Sequence, residues 1–379
     1  MTQPLRIAIN CRPFLRKDFT GIGRYTHDLV HTLLKIDEKN RYLWHVPIRL
    51  FDRRRKFPRP VSGQVTLKRD WRGLGVERMF QDVDIYHAPS PEEVNCRRAK
   101  VVVTVHDLIF KVLPVVHTDD AIQESEKKLS SSLERADRVI CVSDTTRADL
   151  LKYYPVPPQK VERVYNGIDE GIFYRMGTAD LDRARHTLEK RGIKDPYLLF
   201  VSTIEPRKNL KTLLKALALL KERGRFSGQL VVCGMRGWMT EDTEDVVEKL
   251  GLKACVIFTG HMAGADLRQF YNLARALIYP SFYEGFGLPI VEAFACGTPV
   301  ITSHNSSCKE IAGPAALTVD PLDEDELAQA IHRILNDKAC AQGLVQEGLM
   351  RAQRFTLTTC AREALQVYEH LGASLSCNK

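Results

Sequence analysis

Nowhere in the 379 residues is there an apolar run of about 18 side chains, so no segment is built to cross a bilayer as a helix. The N-terminus, Met-Thr-Gln-Pro-Leu-Arg-Ile-Ala-Ile-Asn, lacks the apolar core of a leader and reads straight into a strand. Ten cysteines are present, but none forms a Cys-x-x-Cys pair, which argues against structural zinc and dithiol chemistry. Several sit singly in apolar strands (Cys141, Cys233) or in a helix (Cys296), as buried thiols do in a reducing cytosol. The expected location is therefore cytoplasmic, and the sequon Asn305-Ser306-Ser307 reads as coincidence. A complete dinucleotide fingerprint is also missing. Gly21 and Gly23 open a helix, but Thr26 stands where the third glycine belongs, and ten residues separate the glycines from the preceding strand.

What is present fits a globular chain, with 44% hydrophobic and 27% charged residues, and its length predicts two or three domains. The net charge of +8 is concentrated between Arg41 and Lys100, where 14 Lys/Arg face 7 Asp/Glu, a net +7. Arg53, Arg54, Arg55, Lys56 and Arg59 form its densest part, extended by Lys68, Arg69 and Arg72. Such a patch suits an anionic membrane, an acidic acceptor or a plain solvated face. No nucleic-acid fold signature accompanies it, so nucleic acid is not an expected partner.

The stretch from Tyr279 to Gly297 organises the rest. An apolar strand, Ala276 to Pro280, leads into a loop with Gly285 and Gly287, then a helix whose first position is expected at Pro289. Backbone N–H groups around Phe286, Gly287, Leu288 and Ile290, with the positive helix end, suit an anion such as a phosphate. Glu284 precedes this loop and Glu292 follows it. Carboxylates beside such a site suit hydroxyls on either side of a diphosphate, as in a sugar nucleotide. The same glutamates could instead simply complement the helix terminus.

Strands are expected at Leu5–Asn10, Tyr42–Val46, Val65–Lys68, Asp84–Ala88, Val101–Val105, Val139–Val142 and Val161–Tyr165. Most are apolar without alternation, as parallel strands covered on both faces are. His106 follows one of them, where ligands of doubly wound sheets bind, although it could equally be a bystander beside a capping Asp107. After about Gly192 the pattern restarts, with strands at Tyr197–Val201, Leu230–Cys233, Val256–Thr259, Ala276–Tyr279, Val300–Thr302 and Ala316–Val319. The boundaries expected are 1–192 and 193–356, with a final helix, 357–379, crossing back onto the first domain. Arg207 and Lys208 follow the first strand of the second half and suit a diphosphate leaving group.

Together these segments resemble the retaining glycosyltransferases of family 4. The resemblance is carried by Glu284-x7-Glu292 within Pro-Ser-Phe-Tyr-Glu-Gly-Phe-Gly-Leu-Pro-Ile-Val-Glu-Ala, by Glu205-Pro206-Arg207-Lys208-Asn209, and by Thr20-Gly21-Ile22-Gly23. It covers essentially the whole chain. It implies an α/β GT-B fold, two Rossmann-like doubly wound domains facing across a cleft, with no metal or other cofactor required. Glu284 would then bind donor-sugar hydroxyls and Glu292 the ribose hydroxyls. Phe286, Gly287 and Leu288 would offer N–H groups to the sugar and phosphates. Lys208, helped by Arg207, would hold the departing diphosphate. Gly21 or Gly23 would approach the phosphates, His106 would orient the sugar, and backbone at Met262 would read the base.

One departure stands out: Ser202-Thr203 occupies the place where many members have Gly-Arg. The Thr203-x-Glu205-Pro206-Arg207-Lys208-Asn209 form resembles mannosyltransferases of bacterial surface polysaccharides, which implies GDP-mannose as donor and a glycan or lipid-linked acceptor. A UDP-hexose transferase, a sugar-nucleotide epimerase and a non-catalytic sugar-nucleotide-binding protein are the alternatives. The basic segment adds the expectation of peripheral contact with an anionic membrane at its inner face.

Overall fold

A computed structural model of the protein describes residues 3–15, 21–48, 65–80, 82–94, 96–237, 243–262 and 264–376. Thr20 and the basic run Arg53 to Arg59 lie outside the described residues. The chain forms two compact units, Met1–Gly167 with Leu357–Lys379, and Ile168–Thr356.

In the first unit β1 (Arg6–Asn10), β2 (Arg41–Pro47), β3 (Val65–Asp70), β4 (Ile85–Ala88), β5 (Lys100–Val105), β6 (Arg138–Cys141) and β7 (Val161–Arg163) make one parallel sheet. Their order is β3-β2-β1-β4-β5-β6-β7. Burial explains the sequence pattern. Interior β5 is buried from Val101 to Val105 on both faces, whereas the outermost strand β3 alternates and shows Thr66, Lys68 and Arg69 to solvent. The helix Leu357–Ser376 belongs to this unit. Its Cys360, Ala361, Ala364, Val367, Tyr368 and Leu371, at helical spacing, pack with Ile7, Ile9, Leu29 and Leu33. Burying each larger apolar side chain contributes about 2 kcal/mol, enough to hold a returning helix.

The second unit repeats the plan with β8 (Tyr197–Val201), β9 (Gln229–Cys233), β10 (Val256–Gly260), β11 (Ala276–Tyr279), β12 (Val300–Ser303) and β13 (Leu317–Val319). The order β10-β9-β8-β11-β12-β13 reverses direction between β8 and β11. Helix Leu210–Glu222 lays Leu210, Leu213, Leu214, Leu217 and Leu220 against β8 and β9 in one core.

The joint between units lies at Gly167/Ile168 instead of the expected 192. Gly192 does make a turn, with φ +78, but the turn is inside the second unit. Residues 168–189 are tied there. Ile168 N donates to Phe355 O at 2.9 Å, Met176 N donates to Asn272 Oδ1 at 2.8 Å, and Phe173 meets the Tyr271 ring edge-on.

Candidate active site

In doubly wound sheets, ligands bind outside the carboxyl ends of the strands where the order reverses. In the second unit that point lies between β8 and β11, and two loops emerge there. After β8 the chain makes a tight turn, Pro206–Lys208, closed by Asn209 in the left-handed region at φ 58. Asn209 holds this conformation because Nδ2 donates to Pro280 O (3.0 Å) and Pro321 O (2.6 Å), and Oδ1 accepts from Thr212. After β11, Phe282 N and Ser281 Oγ both donate to Arg207 O, at 2.8 and 3.0 Å. The next strand braces the same loop. Ser303 Oγ donates to Ser281 O, Ser307 Oγ to Glu284 O, and Glu284 N to Ser306 Oγ.

This scaffold brings Arg207, Lys208 and Glu284 together. Lys208 Nζ lies 2.6 Å and Arg207 Nη1 2.9 Å from the two oxygens of Glu284. Oε1 also accepts from Ser281 Oγ (2.6 Å) and Tyr279 Oη (2.8 Å), and Lys208 donates to the same Tyr279 hydroxyl. Arg207 Nε meets Glu205 at 2.5 Å, which makes the cluster neutral overall. Lys208 and Glu284 are 7% and 6% exposed, so their charges stand largely out of water.

Burial alone would raise the Glu284 pKa. The charges of Lys208 and Arg207, with hydrogen bonds from Lys208 and Ser281, overcome it and hold the carboxyl down at about 2. A carboxylate so stabilised is a poor nucleophile and a good fixed acceptor. The functional roles expected for it and for the two cations thus meet in one ion-paired cluster, so Glu284 does not stand apart as a lone hydroxyl acceptor.

The following helix starts at Leu288, one residue before the expected Pro289, because Gly287 is its N-cap at φ 97. No side chain caps it, as suits a terminus that presents backbone N–H groups. Phe286 is buried and packs edge-on against Phe355, fixing the loop's approach. Glu292 lies on this helix, 3% exposed, and accepts from Tyr271 Oη at 2.8 Å. Glu292 thus joins the buried Tyr271 hydroxyl on the neighbouring helix. Met262 follows β10, its sulfur 3.3 Å from Arg191 Nη1.

Gly21, Gly23 and His106 belong to the first unit. Gly21 begins helix Gly21–Ile36 and Gly23 is buried in its first turn. Two residues on, the Tyr25 ring meets His106 edge-on, with centroids 4.8 Å apart. His106 Nε2 donates to Pro89 O at 2.8 Å, so Nδ1 is the ring's acceptor. Burial lowers its pKa and keeps it neutral, against the weaker pull of Pro89 and Asp107.

Reading residues alone missed Glu205, Tyr271, Tyr279 and Ser281. The signal for Tyr279 and Ser281 was a pair of hydroxyls two apart at the carboxyl end of an apolar strand, beside a glutamate.

Known proteins align with this layout. Residues 19–171 match the profile of Glycosyltransferase Family 4 and residues 185–349 that of Glycosyl transferases group 1. An O-antigen chain mannosyltransferase B of Escherichia coli is 30% identical, over 94% of this chain and 98% of that protein. An O-antigen chain mannosyltransferase of Salmonella typhimurium is 31% identical over 61% of this chain and 60% of its own. The fold of a sucrose-phosphate synthase from Thermosynechococcus elongatus superposes with a TM-score of 0.80 at 24% identity, covering 98% of this chain and 100% of that one. The chain belongs to the family 4 glycosyltransferases and has their GT-B fold of two parallel-sheet α/β domains.

Proposed function

We propose that the protein moves mannose from GDP-mannose, with retention at the anomeric carbon, onto a glycan or lipid-linked acceptor in surface-polysaccharide synthesis. The observation that carries this reading is the buried Arg207–Lys208–Glu284 cluster at the switch point of the second sheet. The mannosyltransferase names of the two bacterial relatives support the choice of sugar.

The chemistry follows from charge. When the anomeric C–O bond breaks, its electron pair goes to the diphosphate. Lys208, Arg207 and the helix end at Gly287 and Leu288 stabilise that growing charge. Each group of this kind lowers the barrier by about 3 kcal/mol. Glu284 accepts from hydroxyls of the donor sugar and does not attack it, since the two cations lower its basicity. The acceptor oxygen then bonds to the anomeric carbon from the face the diphosphate leaves, and its proton passes to a phosphate oxygen. Glu292 takes the ribose hydroxyls, backbone near Met262 the base, Gly21 or Gly23 the phosphates, and His106 Nδ1 a sugar hydroxyl.

The test is nucleoside diphosphate release from GDP-mannose, UDP-glucose and ADP-glucose with and without lipid-linked glycan acceptors. GDP release that requires acceptor supports the reading. UDP release moves the assignment to a UDP-hexose transferase, and interconversion of the donor without acceptor marks an epimerase.

A further inference from the structure

Helix Leu288–Cys296 is apolar except at one position. Ile290, Val291, Ala293 and Phe294 are 0 to 1% exposed, and Glu292 stands among them. A carboxylate in such surroundings costs stability unless it is hydrogen-bonded, so packing alone would favour an aliphatic side chain. Glu292 comes four residues after Leu288, on the same face of the helix and one turn, about 5.4 Å, further along. That offset suits a ligand whose phosphate meets the first turn and whose hydroxyls lie one sugar ring away, as in a nucleotide.

Tyr271 sets how this carboxylate stands. It is fully buried in the last turn of helix Gly264–Leu273. Its hydroxyl donates to Glu292 Oε2 at 2.8 Å, while its own carbonyl accepts from Thr298 Oγ1 at 2.6 Å. Thr298 directly follows Gly297, which closes the Glu292 helix in the left-handed region at φ 72. Tyr271 is therefore anchored just past the end of the very helix whose carboxylate it holds. From the other side the buried Phe173 ring meets it edge-on, with centroids 6.0 Å apart. Its neighbour Asn272 accepts from Met176 N and donates to Tyr174 O, which fixes that side too. Burial and the Glu292 charge keep the phenol protonated, so it stays a donor.

A hydrogen-bonded pair that served packing alone would be replaceable by two apolar side chains at little cost. A carboxylate has about four acceptor positions, so one hydrogen bond orients the group without exhausting it. Two vicinal hydroxyls are best met by a carboxylate whose plane is already set.

We infer that Tyr271 is a positioning residue, holding Glu292 in the plane that the cis hydroxyls of a ribose require. The site thereby selects sugars linked to ribonucleotides over sugars linked to 2′-deoxyribonucleotides. A deoxy donor leaves one acceptor position unmet, and a carboxylate held by Tyr271 cannot turn to follow the single remaining hydroxyl. The role rests on the proposed place of Glu292 at the ribose and is independent of the base.

Calorimetric titration of the full chain compares GDP with 2′-deoxy-GDP and UDP with 2′-deoxy-UDP. For the base that binds tighter, the wild type should prefer the ribose form at least about tenfold. Tyr271→Phe keeps the ring against Phe173 and should stay folded, as circular dichroism checks. It should cut the preference about threefold or more, mainly by weakening the ribose form. Glu292→Ala should abolish the preference, and adding Tyr271→Phe to it should change nothing further. Equal losses for both forms in Tyr271→Phe mark a merely structural hydroxyl. They overturn the positioning role while the ribose role of Glu292 stands. A wild type without preference, or a preference that survives Glu292→Ala, overturns both. The expected pattern with the UDP pair binding tighter moves only the proposed base and supports the role of Tyr271. Absence of binding by all four nucleotides overturns the transferase reading and this role together.

Discussion

Lys208 Nζ and Glu284 Oε1 lie 2.6 Å apart although 76 residues separate them in the chain. They meet because β8 and β11 are neighbours in the sheet and each sends one loop out at its carboxyl end. Breaking a buried pair leaves the surviving charge without compensation, at a cost of about 3 to 5 kcal/mol. Glu284→Gln keeps the shape and removes the charge. It should lower the melting temperature and cut kcat at least a hundredfold, while the Kd for GDP stays the same or tightens, because Lys208 and Arg207 lose a competing anion. Calorimetric titration beside steady-state kinetics checks this. Equal losses in kcat and GDP affinity would remove the sugar-binding role.

Tyr279 joins the pair, accepting from Lys208 and donating to Glu284. Tyr279→Phe deletes one hydroxyl and leaves the ring in its core position. The expected loss of stability is about 1 to 3 kcal/mol, measured by urea unfolding, with a smaller loss of turnover than for Glu284→Gln. No change in stability would mean that the hydroxyl is not part of the cluster in solution.

Gly287→Ala tests the helix terminus. The residue has φ 97, and a Cβ there would meet Ile290 Cδ1 at 3.1 Å. Strain of about 1 to 3 kcal/mol would be relieved by turning the loop, which misdirects the N–H groups of the first turn. Turnover and GDP affinity should both fall. Retention of both would show that the terminus does not bind the diphosphate.

Acid should act on Glu284 in a defined window. Its folded pKa, about 2, lies below the ordinary 4.5, so its contribution is complete above about pH 4.5 and disappears as pH falls toward 2. A depression of this size corresponds to about 3 kcal/mol. The stability difference between wild type and Glu284→Gln should therefore shrink between pH 5 and the lowest pH at which both still fold, as followed by denaturant unfolding. A difference independent of pH would contradict the ion pair.

Much of this was legible in the residues, for identifiable reasons. Non-alternating runs such as Val101–Val105 and Tyr197–Val201 are interior parallel strands, buried on both faces. The helix stripe of Leu210, Leu213, Leu214, Leu217 and Leu220 is indeed core. The ion pair was not legible, because spacing along the chain says nothing about which strands lie side by side. Tyr279 looked like core, and its ring is, but the hydroxyl at its far end serves the cluster. Gly192 looked like a boundary because it makes a real turn, while the ties that decide the boundary, Ile168 to Phe355 and Met176 to Asn272, join residues far apart in sequence. The helix start was expected one residue late, at Pro289, because a left-handed Gly287 admits Leu288 to the first helical position.

In the proposed reaction this cluster holds the diphosphate of a guanosine-linked mannose. Its most direct test is calorimetric titration of wild type and Lys208→Ala with GDP-mannose and with UDP-glucose. The account predicts that the wild type binds GDP-mannose in preference to UDP-glucose and that Lys208→Ala loses at least tenfold in affinity. Tighter binding of UDP-glucose, or affinity for GDP-mannose that does not depend on Lys208, would contradict it.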